Sequence, residues 1–216
     1  MTLPRLTLVL GGAASGKSAF AENLVLRADL APVYIATAQV FDDEMAAKIT
    51  RHRDIRSERW TTIEEQLDVA GALGHCGSDQ AVLIDCATLW LTNVILGDRD
   101  IAADMADLLD ALRNCPAPVV IVSNEVGQGI VPDNALARQF RDLAGMTHQR
   151  VAAAVDRVVA RSAGQPVVAL STDQRIVARL TMQFIITGQA NQSVRNRGPF
   201  EDVDSCRTRN IETSLE

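Results

Sequence analysis

Eight consecutive residues near the amino end, Gly11-Gly12-Ala13-Ala14-Ser15-Gly16-Lys17-Ser18, have the types and spacing of a loop that wraps phosphate. In G-x4-G-K-S the glycines admit a tight turn, and backbone N–H groups of the loop and the following helix can point at phosphate oxygens. Lys17 would neutralise the β- and γ-phosphates, and the Ser18 hydroxyl would ligate Mg²⁺. The chain has only two lysines, Lys17 and Lys48, among 21 basic residues. A lysine kept here fits a need for a compact ammonium among phosphates.

Other residues extend this chemistry. Asp85 ends an apolar run, where a phosphate-loop protein places a second magnesium-associated carboxylate; a turn acid closing a strand would look the same. Imidazole chemistry must use His52, His75 or His148. Met45, Ile49 and His52 share one face of an expected helix, so His52 reads either as a packed helix residue or as a reactive one. His75, in Gly74-His75-Cys76-Gly77-Ser78, reads as a surface loop residue, and His148 as a structural helix residue. Arg51, Arg53, Arg56 and Arg59 cluster around His52. They form either a solvated face or a triphosphate clamp, since guanidinium groups bind phosphate oxygens in bidentate fashion. The glycine-containing segment from Asn124 to Pro132 follows a strand and is expected over the site, because open parallel sheets bind ligands beyond their carboxyl ends.

The elements that must hold these residues alternate. Leu6–Leu10, Val33–Thr37, Ala81–Asp85, Pro118–Ser123 and Pro166–Leu170 read as buried strands. Helices are expected from Lys17 to Ala28, Asp42 to Arg53, Ile101 to Leu112 and Asn134 to Arg161, the last broken near Gly145. Strands alternating with helices predict an α/β P-loop NTPase, with a mainly parallel sheet covered on both faces.

Bulk properties bound the answer. A chain of 216 residues, 47% hydrophobic and only 4% aromatic, builds one domain around an aliphatic core. The net charge of -6 argues against non-specific nucleic-acid binding. Cys76, Cys86, Cys115 and Cys206 form no CxxC pair and read as reduced thiols of a cytoplasmic protein. No run of about 18 apolar residues predicts a membrane span.

Taken in order, these residues resemble the bifunctional adenosylcobinamide kinase/adenosylcobinamide-phosphate guanylyltransferases of cobalamin synthesis. The resemblance rests on G-G-A-A-S-G-K-S at 11–18, Y-I-A-T-A at 34–38 and D-D-E-M-A-A-K-I-x-R-H-R at 42–53. It continues through Trp60, Glu64-Glu65, I-D-C-x-T-L-W-L-T-N at 84–93, S-N-E-V-G-x-G-I-V-P at 123–132 and A-R-x-F-R-D at 137–142. It implies a RecA-like fold, a homotrimer, and two reactions. The terminal phosphate of ATP or GTP goes to the aminopropanol hydroxyl of adenosylcobinamide. A histidine then takes GMP from GTP and passes it to adenosylcobinamide phosphate, giving adenosylcobinamide-GDP. The histidine position falls on His52. The same resemblance assigns nucleotide contacts to Ala36, Thr37, Ala38, Arg53, Asp54, Ile55, Arg56, Glu64 and Asp85.

Two departures stand out. Position 148 is His where the family is expected to have Asn. The matches stop near residue 170, so residues 1–170 are expected to form the enzyme domain. Residues 171–216 are expected to form an atypical, partly disordered extension that is dispensable or aberrant. Two other readings stay open: a small-molecule P-loop kinase without covalent histidine chemistry, and a nucleotide-dependent regulator with no transferase activity.

Overall fold

The fold is given by a computed structural model that describes residues 2–39 and 59–161, with the backbone of 167–169, 175–178, 185–187 and 195–196. The elements run β1 (Leu6–Gly11), α1 (Lys17–Leu26), β2 (Ala31–Ala36), β3 (Thr61–Glu64), α2 (Val69–Gly74), β4 (Gln80–Asp85) and α3 (Ala87–Leu96). They continue with α4 (Ile101–Asn114), β5 (Val119–Asn124), α5 (Ala135–Ala154) and β6 (Arg157–Ala160). Four short strands follow: β7 (Val167–Ala169), β8 (Arg175–Ala178), β9 (Ile185–Thr187) and β10 (Arg195–Asn196).

Among the described residues, eight strands form one parallel sheet in the order β10-β8-β6-β1-β5-β4-β2-β3, and β7 pairs with β9 apart from it. Alternate residues of the central strands feed two cores, because successive side chains leave a strand on opposite faces. Leu6 and Leu8, Val33 and Ile35, and Val82 and Ile84 meet side chains of α2, α3, α4 and α5 on one face. Val9, Tyr34, Leu83, Val120 and Val122 meet Ala21 and Val25 of α1 on the other. Burial on both faces explains the continuous apolar runs of β1, β4 and β5. Each fully buried Leu, Ile or Val adds roughly 1.5–3 kcal/mol as an upper estimate. This is the expected RecA-like P-loop arrangement, with β5 inserted between β1 and the strand that ends in Asp85.

Several expectations are corrected. The helix expected to reach Arg161 runs unbroken through Gly145 but ends at Ala154, and Arg157–Ala160 is a strand beside β1. No Gly or Pro lies between Gly145 and Gly164 to mark that stop. The change is made by pairing: Asp156 N–H donates to Leu6 O at 3.1 Å, and its carboxylate accepts Leu6 N–H at 2.9 Å. Val158 and Val159, β-branched, then fit the buried sheet surface. The strand expected at Pro166–Leu170 exists as β7, but it lies outside the main sheet. β3, α2 and α3 were not anticipated. The helix expected from Asp42 to Arg53 lies outside the described residues.

Candidate active site

The parallel register gathers the carboxyl ends of five strands at one edge. Gly11 pairs with Asn124, Asp85 with both Ala36 and Val122, and Ala36 with Glu64. Residues far apart in the chain are thereby aligned where an open α/β sheet holds its ligand.

The glycine loop leaves β1 and opens α1. Ala14 and Gly16 take positive φ values of 55° and 74°, the left-handed region that favours glycine. Ser15 N–H donates to Gly12 O at 3.3 Å, and Lys17 Nζ donates to the same carbonyl at 3.2 Å. A Cβ on Gly11 would collide with Ser15 Oγ and stand 2.8 Å from Arg161 O, so no larger residue fits without movement. Side chains of Asp68, Asp100 and Asn134 cap α2, α4 and α5, whereas none caps α1. Its first N–H groups and partial positive charge face the loop, as an anion site requires.

Arg161, which sequence reasoning missed, also belongs to this loop. Its backbone N–H donates to Leu10 O at 2.7 Å at the end of β6. Its guanidinium lies 4.8 Å over the Phe20 ring, and Nε reaches Ser15 O at 3.5 Å. Only recognition of β6 as the neighbour of β1 could have pointed to it.

A second group of residues fixes the corner between β4 and α3. The buried Thr37 hydroxyl donates to Cys86 O at 2.8 Å and accepts Cys86 N–H at 2.7 Å. Asn93 Nδ2 donates to Thr37 O at 2.8 Å and to Gln66 O at 3.0 Å. Asn124 Nδ2 donates to Thr88 Oγ1 at 2.9 Å, joining β5 to α3. Tyr34 hydroxyl donates to Asp85 Oδ2 at 2.8 Å, and Trp60 meets the Tyr34 ring edge-on at 5.6 Å between centroids. Asp85 is thus held at the carboxyl edge, with β5 between its strand and β1. Burial, and then the Asp85 charge, push the Cys86 thiol up to about 11, with Lys17 opposing weakly. Cys86 therefore stays a neutral, buried thiol at pH 7. Burial also raises Cys76 and Cys115, and all three are free thiols.

His148 comes to this edge from α5. Its Nε2 lies 2.7 Å from Ser123 Oγ, and burial depresses its pKa while the Glu125 charge opposes that shift. The segment after β5 is tied to the glycine loop, since Glu125 N–H donates to Gly11 O at 3.0 Å. Glu64 ends the outer strand β3 and is exposed, four strands from β1. His75 is the exposed cap residue after α2. His52, Arg53, Asp54, Ile55 and Arg56 lie outside the described residues, as do Arg51 and Cys206.

The donors fit a magnesium–nucleotide complex. Ser18 and Asp85 offer hard oxygens, and Mg²⁺ takes one or two protein oxygens and completes its shell with phosphates and water.

A family model described as "Cobinamide kinase / cobinamide phosphate guanyltransferase" matches residues 7–169. The bifunctional adenosylcobalamin biosynthesis protein CobP of Pseudomonas aeruginosa is 43% identical over 163 residues, covering 74% of this chain and 94% of that protein. The corresponding CobU of Escherichia coli is 45% identical over 171 residues, covering 70% of this chain and 92% of its own. Among solved structures, the RadB recombinase is 20% identical with a TM-score of 0.37, covering 65% of this chain and 72% of its own; that likeness adds nothing to the fold read from the sheet. By the span of the family model and the identity of these relatives, the chain belongs to the cobinamide kinase/cobinamide phosphate guanyltransferase family.

Proposed function

We propose that the chain phosphorylates adenosylcobinamide with ATP or GTP and then transfers GMP from GTP to adenosylcobinamide phosphate through a guanylyl-His52 intermediate. The observation that supports this reading best is the phosphate loop at Gly11–Ser18, built at the ligand edge of the sheet and inside the family match at 7–169. In the first reaction the aminopropanol hydroxyl attacks the terminal phosphorus and the nucleoside diphosphate leaves. In the second, a ring nitrogen of His52 attacks the α-phosphorus of GTP and the bond to the β-phosphate oxygen breaks, releasing pyrophosphate. A phosphate oxygen of the corrinoid then attacks the bound GMP, the P–N bond breaks, and the imidazole is regenerated. Two steps divide one hard transfer between anions, and neutral imidazole is a competent nucleophile near pH 7.

Lys17 and the loop N–H groups would hold the departing phosphates in both reactions. Asp85, oriented by Tyr34, and Ser18 would hold Mg²⁺. When bound, the ion would offset charge on the phosphates. Thr37 and its neighbours Ala36 and Ala38 would line the nucleotide pocket, with Glu64 and the segment Arg53–Arg56 completing it. The reading includes a cytoplasmic homotrimer, which sedimentation would test. It gives residues 171–216, beyond the family match, no part in either reaction.

Incubation with GTP labelled at the α-phosphate tests the reading. An acid-labile, base-stable protein adduct is expected, absent in His52→Ala. Lys17→Ala should lower adduct formation and cobinamide phosphorylation by about 10²–10³-fold. Phosphorylation of cobinamide with no adduct would leave a kinase without covalent histidine chemistry.

A further inference from the structure

The loop between β5 and α5 has a composition that the phosphate chemistry does not use. Ile130 is 97% exposed, Val131 55% and Leu136 50%. Single exposed apolar residues are ordinary, but three within seven positions at the rim of a site call for an occupant. The root of the loop is tied to the phosphate loop through Glu125 N–H and Gly11 O at 3.0 Å, so the loop springs from the same edge of the sheet.

The far limb of the loop is fixed as well. Arg138 Nη1 donates to Pro132 O at 2.8 Å and to Asp133 O at 2.6 Å. Asn134 caps α5 by accepting Leu136 N–H at 2.8 Å. Gly129, with φ 118°, makes the turn that brings Ile130 out. Val131 is thus presented on an anchored limb, which lowers the ordering cost of binding. Between Asn124 and Ala137 the only ionisable side chains are Glu125 and Asp133, both acidic. With Arg138 held against Pro132 and Asp133, residues 125–138 carry one net negative charge.

We propose that residues 127–134 dock the corrinoid ring of the acceptor substrate, a broad apolar macrocycle with a net positive charge and amide arms. This rests on the cobinamide reading above. A cobalt(III) corrin with one alkyl ligand and neutral amide arms carries one positive charge, opposite to the net charge of Glu125, Asp133 and Arg138 together. Its apolar face covers Ile130 and Val131, and its aminopropanol arm is left to reach the phosphate loop.

The test is equilibrium dialysis of the full chain against adenosylcobinamide, and separately against GTP. In the doubly substituted I130S/V131S chain, Kd for adenosylcobinamide should rise about tenfold or more, from two lost apolar contacts, while Kd for GTP stays within about twofold. D133N should raise only the corrinoid Kd, and by less. An unchanged corrinoid Kd in I130S/V131S would overturn the proposal. So would a change in sedimentation mass with corrinoid binding kept, which would give the surface to a second copy of the chain. Failure of the unsubstituted chain to bind or phosphorylate adenosylcobinamide would instead remove the cobinamide reading itself, and the docking proposal with it.

Discussion

The glycine loop after β1 and the corner between β4 and α3 share the carboxyl edge, on either side of β5, yet their shapes have different origins. The loop is made mostly by neighbours in the chain: positive φ at Ala14 and Gly16, and Ser15 and Lys17 both bound to the Gly12 carbonyl. The corner is made by residues 37, 86, 88, 93 and 124, whose hydrogen bonds span up to 56 positions. A locally made shape is robust to changes elsewhere, whereas a corner made at long range depends on every strand in its register.

The comparison can be broken most directly at Thr37. Thr37→Val keeps the shape but leaves the buried Cys86 amide without its acceptor, while the Cys86 carbonyl keeps the Trp90 N–H, and should cost about 2 kcal/mol. Urea unfolding would show it; a loss under about 0.5 kcal/mol would mean that the corner stands without this hydroxyl.

The loop should respond more weakly, and unevenly. In Gly11→Ala the new methyl meets a backbone carbonyl of Arg161 at 2.8 Å, which should cost about 1–2 kcal/mol as β1 and β6 shift. In Gly16→Ala the nearest atom outside its chain neighbours is 3.5 Å away, so only the positive φ opposes it, at roughly 1 kcal/mol. Equal losses at the two sites, read from the same urea curves, would contradict this division.

The smallest effect concerns His148, at the β5 end of the same edge. Its folded pKa lies below the ordinary 6.5 because burial disfavours the imidazolium. The neutral form is favoured on folding, so its contribution to stability is present above pH 6.5 and is lost as pH falls through the folded value. His148→Asn should flatten the fall in urea midpoint between about pH 7.5 and pH 5.5. An identical slope in both proteins would show that His148 is not a source of it.

Much of the fold was legible where a single local pattern determined it. β1, β2, β4 and β5 were readable as apolar runs, and the starts of α1 and α4 fell at Lys17 and Ile101 as expected. β6 was hidden because Val151 to Arg161 contains no breaker and continues a helical run. α3 was missed for another reason. With Trp90, Leu91 and Val94 buried among apolar neighbours, it shows little of the one-sided pattern that marks a surface helix. The placement of Gly11–Ser18 between β1 and α1, and of Asp85 at the end of β4, was readable, whereas Arg161 and the partners of Thr37 were not.

The sequence by itself determined the phosphate loop, the alternating parallel architecture and the family, because each depends on residues in contiguous segments. Only the tertiary structure decided that Arg157–Ala160 lies beside β1, that Arg161 packs against Phe20 under the loop, and that Thr37 holds Cys86. Hydrogen bonds across strands have no signature in local spacing. They arise when register brings together groups that burial forbids from remaining unpaired. Gly11 belongs to both classes. The loop pattern identifies it, but it is the carbonyl of Arg161, 150 positions away, that leaves no room for a side chain there.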